Sequence, residues 1–151
     1  PSAVYQIKAF AKRVDFLSVG SNDLTQYLLA VDRNNSRVAG LYDSLHPAVL
    51  SALQSVVTAA KEVGKYVSIC GEMASDPVAV VLLLGMGFQG LSMNPASLLR
   101  IKCVVRNFSQ QEAEQLLMQA MQQENASEIR IIIEKALDNA GLGGLIRAGS
   151  R

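Results

Sequence analysis

The stretch Asp15-Phe16-Leu17-Ser18-Val19-Gly20-Ser21-Asn22-Asp23-Leu24-Thr25-Gln26-Tyr27, running on to Ala30-Val31-Asp32-Arg33-Asn34-Asn35, decides the fold class. Asp15–Val19 is a short apolar run of strand length. Gly20 permits a turn, and Leu24, Tyr27, Leu28 and Val31 then recur at helical spacing over Asp23–Val31. The order is therefore strand, turn, helix. A second stretch repeats it: Tyr66-Val67-Ser68-Ile69-Cys70-Gly71-Glu72-Met73-Ala74-Ser75-Asp76-Pro77. Each stretch puts an amide, a carboxylate, a thiol or a guanidinium at or beyond the carboxyl end of a strand, where α/β proteins carry their chemistry.

Working outward, the same alternation continues. Val4, Ile7, Ala9, Phe10 and Ala11 form a weak helical stripe over residues 4–12. Residues 32–46 are polar and turn-rich, a long loop of the kind that carries function more often than not. Pro47 suits the first turn of a helix whose apolar face is Val49, Leu50, Leu53, Val56, Val57, Ala60 and Val63, and Gly64 stops it. Val67–Ile69 is the second strand. Ser75 or Asp76 caps the next helix, with Pro77 at its first position and Gly85 and Gly87 beyond its end. Leu91–Met93 is a third strand, followed by Asn94 as a cap, Pro95 in the first turn and a helix over Ala96–Val105. Strands alternating with helices imply an α/β fold with a parallel sheet, and apolar strands imply burial on both faces. Three strands do not bury two faces alone, so the chain reads as part of a larger α/β sheet or barrel. It opens at Pro1 without an initiator methionine, which reads the same way.

Beyond residue 108 the pattern changes. Ser109-x-x-Glu112 is a capping-box signature, with Ala113, Leu116, Leu117, Ala120 and Met121 behind it. Ser127 is expected to cap a second helix carrying Ile129, Ile132, Ile133, Ala136, Leu137 and Ala140, ended by Gly141. The last stretch, Gly141 to Arg151, is expected to be mobile. These helices have two possible uses, covering a barrel or meeting another subunit, and their pattern does not choose between them.

Composition narrows the class. Half of the 151 residues are hydrophobic and the formal net charge is +1, with both signs interspersed. That is a globular composition without the basic stripe of a nucleic-acid surface. No apolar run approaches the ~20 residues that span a bilayer, and no secretory leader is read. Cys70 and Cys103 lack metal-ligand spacing; free thiols in a reducing cytoplasm are expected.

Several residues at the strand ends have both a plain and a chemical reading. Asp23 is a carboxylate of the type that binds Mg²⁺ together with substrate oxygens. Asn22 beside it can orient a substrate carboxylate or phosphate. The plainer role for either is capping the helix. Arg33 offers a planar fork suited to phosphate, although most loop arginines are simply solvated. Cys70, directly before Gly71, is a nucleophile, redox group or proton donor, or else a buried inert thiol. Glu72 is placed to tune it or to pair with a cation. Cys103 reads as core. His46, the sole histidine, reads as a helix-start residue rather than a phospho-acceptor.

Together, Gly20 through Tyr27, Ala30 through Asn35, Cys70-Gly71-Glu72 and Gly85-Met86-Gly87 resemble the phosphoenolpyruvate-utilising enzymes. Within them the similarity is to the Enzyme I type of phosphoenolpyruvate–protein phosphotransferase of bacterial phosphotransferase systems, strong over residues 1–108 and looser over 109–151. The resemblance implies a (β/α)8 TIM-type barrel, of which residues 1–108 would be about the last three strand–helix units and 109–151 the terminal helices. It implies Mg²⁺ as cofactor with Asp23 as ligand, Asn22 and Arg33 as substrate contacts, and Cys70 as the acid that protonates the enolate carbon. It further implies phosphoenolpyruvate as donor, pyruvate as product, a histidine phosphocarrier protein of the HPr kind as partner, a homodimer, and a cytoplasmic location. The nitrogen-regulatory branch is favoured slightly over the sugar-transport one. The family's second metal-binding glutamate would fall just before Pro1, and the accepting histidine and the upstream arginines lie in parts not represented here. Ser21 stands where the family often has threonine. A pyruvate phosphate dikinase or phosphoenolpyruvate synthase is the alternative enzyme, and a non-catalytic binding and dimerisation module the alternative outside catalysis. The Ala30-Val31-Asp32-Arg33 run favours the first reading.

Overall fold

The computed structural model describes residues 1–147 and has an α/β architecture built on a three-stranded parallel sheet. The elements in chain order are α1 (Ser2–Tyr5), α2 (Ile7–Ala11), β1 (Phe16–Gly20), α3 (Ser21–Leu29), α4 (Pro47–Glu62), β2 (Tyr66–Cys70), α5 (Pro77–Met86), β3 (Gly90–Ser92), α6 (Pro95–Asn107), α7 (Gln110–Ala120), α8 (Ala126–Asn139) and α9 (Gly143–Arg147). Short 3-10 turns at Ala39–Leu41 and Glu72–Ser75 sit in the two loops nearest the strand ends. The expected stripe over residues 4–12 is broken into α1 and α2. The expected mobility of Gly141 to Arg151 is overturned in part, because Leu142 is buried and α9 follows it; residues 148–151 lie outside those described.

The strands run in the order β1-β2-β3, all parallel. Phe16, Ser18 and Gly20 pair with Tyr66, Ser68 and Cys70, and Ser68 and Cys70 continue across to Gly90 and Ser92. These residues share one face of the sheet, because side chains alternate along a strand. The other face carries Leu17, Val19, Val67, Ile69 and Leu91. Burial on both faces, expected from the apolar strands, does not hold. Val67 and Ile69 are buried, whereas Phe16 is 61% exposed and Tyr66 47%. The helices cover one face and leave the other open.

The core sits between the covered face and the helices, and α5 is its hub. Val78 through Leu83 are fully buried all round the helix, which fits a helix with no polar face. Each valine and leucine among them contributes roughly 1.5–3 kcal/mol by leaving water. α4 supplies Val49, Leu50, Leu53 and Val56 to the same core, α8 supplies Ile129, Ile133 and Leu137. The terminal helices α7 and α8 pack on α5. α7 comes so close that a Cβ on Gly85 would run into the backbone carbonyl of Ala113.

The caps follow local chemistry. Pro47, Pro77 and Pro95 each start a helix, behind His46, Asp76 and Asn94, whose side chains accept from backbone N–H groups. The Ser109–Glu112 capping box is complete. α8 is capped by Asn125, not Ser127, because Asn125 Oδ1 accepts from Glu128 N and Ser127 lies inside the helix.

Candidate active site

The site begins at the junction of β1 and α3. The helix starts immediately after the strand, with Gly20 as its N-cap and no side-chain capping bond. Neither Asn22 nor Asp23 caps it, which overturns the plainer reading of both. Instead, buried Ser21 donates from Oγ to the carbonyl of Cys70 at 2.8 Å, tying the end of β1 to the end of β2. Thr25, also buried, donates from Oγ1 to the Ser21 carbonyl at 2.8 Å. Asn22 Oδ1 accepts from the backbone N–H of Glu72 at 3.2 Å and from the Tyr42 hydroxyl at 3.5 Å. Gly71 makes this approach possible. Its φ is +102°, and a Cβ there would collide with Ser21 Oγ and lie 3.0 Å from Asn22 Oδ1.

The loop between α3 and α4 adds Arg33 and Tyr42. Side chains of Asp32, Asn35 and Asp43 each accept from a backbone N–H two residues on, so the loop is a chain of tight turns. Gln26 Oε1 accepts from the backbone N–H of Arg33 at 3.1 Å, and Arg33 Nη1 donates to Glu72 Oε1 at 3.0 Å. Arg33 is thus paired with Glu72 rather than merely solvated. With the two side chains 36% and 72% exposed, the pair contributes little to stability and mainly sets direction. Burial pushes the Tyr42 phenol above its ordinary value; the Thr25 hydroxyl pulls it down and the Glu72 charge pushes it further up. The phenol is a proton-bearing donor at neutral pH.

A cleft of about 870 Å³ lies at the carboxyl ends of β2 and β3. Asn22, Cys70, Glu72, Ser92, Arg100 and Arg130 are among its lining. Cys70 is half-buried and lies on the open face of the sheet, in register with Gly20 and Ser92. Arg100 donates from Nη2 to the Ser75 carbonyl at 2.8 Å, and Arg130 reaches from α8 to within 3.8 Å of Asp76. Of the residues singled out from sequence, Asn22, Arg33, Cys70 and Glu72 come together. Tyr42, Arg100 and Arg130 were missed. Arg100 and Arg130 sit in ordinary helical patterns, and only the fold turns them to the strand ends.

Asp23 is placed differently. It is exposed, and it lines a separate, mostly apolar groove with Pro1, Val4, Ser18, Gly20 and Tyr27. Its carboxylate has no hydrogen bond or ion pair among the described residues. It suits a hard cation that takes one or two carboxylates and completes its shell with substrate oxygens and water. Among the described residues no cluster of three or more His, Cys, Asp or Glu could hold a metal. Asp23 thus offers one oxygen donor of the type such an ion takes. His46 caps α4, its Nδ1 accepting from Ala48 N at 3.1 Å, as expected from its position. Cys103, expected in the core, is exposed on α6, because Ile101 and Val104 form the buried side of that helix. No helix among the described residues is long and apolar enough to cross a membrane.

Residues 1–110 match the family model described as PEP-utilising enzyme, PEP-binding domain. The chain is 49% identical over 99% of its length to an Escherichia coli protein named phosphoenolpyruvate-dependent phosphotransferase system, covering 20% of that protein. It is 47% identical over 91% of its length to the phosphoenolpyruvate-protein phosphotransferase of Haemophilus influenzae, covering 24% of it. With the enzyme of the same name from Listeria monocytogenes it shares 40% identity over 89% of its length, again covering 24%. The chain therefore spans about a fifth to a quarter of the curated relatives it matches.

Proposed function

The chain belongs to the PEP-utilising enzymes, matched through their PEP-binding domain, and on that footing we propose that it is the substrate-binding part of a phosphoenolpyruvate–protein phosphotransferase. The observation that carries this reading is the convergence of Asn22, Arg33 and Cys70 at the carboxyl ends of adjoining strands, with Asn22 and Cys70 on the wall of one cleft.

In the parent enzyme the phosphoryl group leaves phosphoenolpyruvate for a histidine nitrogen outside this chain. The P–O bond breaks, its electron pair stays on the enolate oxygen, and an N–P bond forms. Arg33 would lie against the transferring phosphoryl group, its planar fork matched to the charged oxygens. Asn22 would donate to an anionic oxygen of the substrate. Asp23 would hold Mg²⁺ together with substrate oxygens, and the chemistry that the ion supplies is neutralisation of phosphoryl charge. Cys70 would pass its thiol proton to the enolate carbon, yielding pyruvate and a thiolate that is reprotonated from water. The phosphoryl group would then move to a histidine phosphocarrier protein.

The open sheet face supports placing these strands in a (β/α)8 barrel, since a barrel turns one face inward and leaves the other to its helices. Residues 1–108 would then be its last strand–helix units, and 109–151 its terminal segment, from which α7 and α8 cover α5. A homodimer in the cytoplasm completes the proposal, and the branch, nitrogen-regulatory or sugar-transport, would be told by an upstream sensory domain.

The test uses the intact parent chain with phosphoenolpyruvate and Mg²⁺, without nucleotide, and follows pyruvate as carrier proteins are added. Continuous turnover that requires a carrier is expected, and Cys70→Ala should lower it by about 100-fold or more, the usual contribution of a positioned acid. A stoichiometric burst extended by AMP and pyrophosphate, but by no carrier, would move the protein to the dikinase class.

A further inference from the structure

Tyr42 stands where the two halves of the site meet. Its ring lies on the loop that also carries Arg33, and its hydroxyl reaches Asn22 Oδ1 at 3.5 Å. The same oxygen accepts from the Glu72 backbone N–H at 3.2 Å. A backbone N–H only donates, so the atom facing it is the carboxamide oxygen, and the orientation of Asn22 is decided. Thr25 lies beside the phenol, but its one hydroxyl hydrogen goes to the Ser21 carbonyl. The Tyr42 hydroxyl donates to Asn22 Oδ1, with the Thr25 oxygen as its other neighbour. Among the described residues Asn22 Nδ2 has no acceptor, and no polar side-chain atom is buried without a partner. Asn22 is among the residues that line the cleft.

We infer that Tyr42 is a positioning residue for the substrate: it and the Glu72 N–H hold the Asn22 carboxamide by its oxygen, so that both Nδ2–H donors are presented to an anionic oxygen in the cleft. This rests on the phosphoenolpyruvate reading of the site. The arrangement is one of preorganisation. Both inward acceptor positions of the amide are filled before substrate arrives, so the donors need no reorientation on binding. The loop ties the two contacts together, because Arg33 and Tyr42 close on Glu72 and Asn22 from its two ends.

The experiment is a two-by-two set in the intact parent chain: the unaltered protein, Tyr42→Phe, Asn22→Ala and the double variant. For each, KM for phosphoenolpyruvate and kcat are measured from pyruvate release with the carrier protein present, and thermal unfolding is followed in parallel. Phenylalanine keeps the ring and removes only the hydroxyl, so unfolding should be unchanged. In the unaltered background Tyr42→Phe should raise KM by about five- to tenfold, the scale of one lost hydrogen bond, with kcat within about twofold. In the Asn22→Ala background the same substitution should change KM by less than about twofold, because Tyr42 then has nothing to hold. An equal KM effect in both backgrounds, or no effect where Asn22→Ala itself is strong, would overturn the inference and leave the substrate reading standing. An Asn22→Ala variant with unchanged KM would overturn the Asn22 contact and, with it, the role of Tyr42, whereas no pyruvate release from the unaltered protein would overturn the substrate reading.

Discussion

At the scale of single residues, the site depends on contacts that cross from one strand end to the next. Gly71 is the clearest case, since both its positive φ and its clearance from Ser21 and Asn22 exclude a side chain. Gly71→Ala should cost about 1–3 kcal/mol of stability, read as a lower denaturant midpoint, and should weaken substrate binding by displacing Asn22. Arg33 and Glu72 give the opposite separation. Their exposed pair is worth at most about 1 kcal/mol, so Arg33→Ala should leave unfolding nearly unchanged while turnover of the parent enzyme collapses. A large loss of stability on removing Arg33 would mean that its role is architectural. Asn22, Asp23 and Cys70 were singled out because each stands at or just after a strand end, and Arg33 because it lies in the polar loop beyond α3. Their partners were not. Nothing near Asn22 in sequence announces a hydrogen bond from residue 72, and capping by Asn22 or Asp23 failed because α3 starts directly at Ser21.

At the scale of elements, local chemistry predicted most helix starts, and the exceptions come from packing. The Ser109–Glu112 box was read from four residues and is present, with Glu112 Oε2 accepting from Ser109 N at 2.8 Å. Those bonds, first the side-chain and then the backbone one, hold the Glu112 carboxyl below the ordinary carboxylate range. A depressed native value means that the contribution to stability is full above the ordinary carboxylate value and is lost as pH falls through the lowered one. Ser109→Ala should therefore flatten that acidic part of the stability profile of α7, measured by urea unfolding between neutral and acid pH. An unaltered profile would refute the assignment. Gly85 tests the next level up. It lies inside α5 where a helix former would be favoured locally, yet the backbone of α7 occupies the space a Cβ needs. Gly85→Ala should destabilise by about 1–3 kcal/mol, although intrinsic propensity alone would favour the substitution. The break between α1 and α2, the cap at Asn125 and the exposure of Cys103 were missed for the same kind of reason: periodicity marks an apolar stripe but not where it stops or how far it turns.

At the scale of the whole molecule, the sheet has one covered face, one open face and two outer strands. Exposed strand edges template pairing with other chains, and Phe16 and Tyr66 add apolar surface to the open face. Expressed by itself, the 151-residue chain should self-associate in sedimentation velocity and release no pyruvate from phosphoenolpyruvate; a stable monomer with turnover would contradict both expectations. The sequence by itself determined the strand–turn–helix alternation, the parallel α/β class, the buried character of α5 and the identity of the residues at the strand ends. These are consequences of hydrophobic period and of short-range turn and cap chemistry, which act over a few residues. Only the tertiary structure decided that one sheet face stays open, that α7 and α8 cover α5, and that Tyr42 closes on Asn22 while Arg100 and Arg130 come to the cleft. Those outcomes rest on contacts between residues tens of positions apart, and such contacts follow from the packing of whole elements rather than from any local pattern.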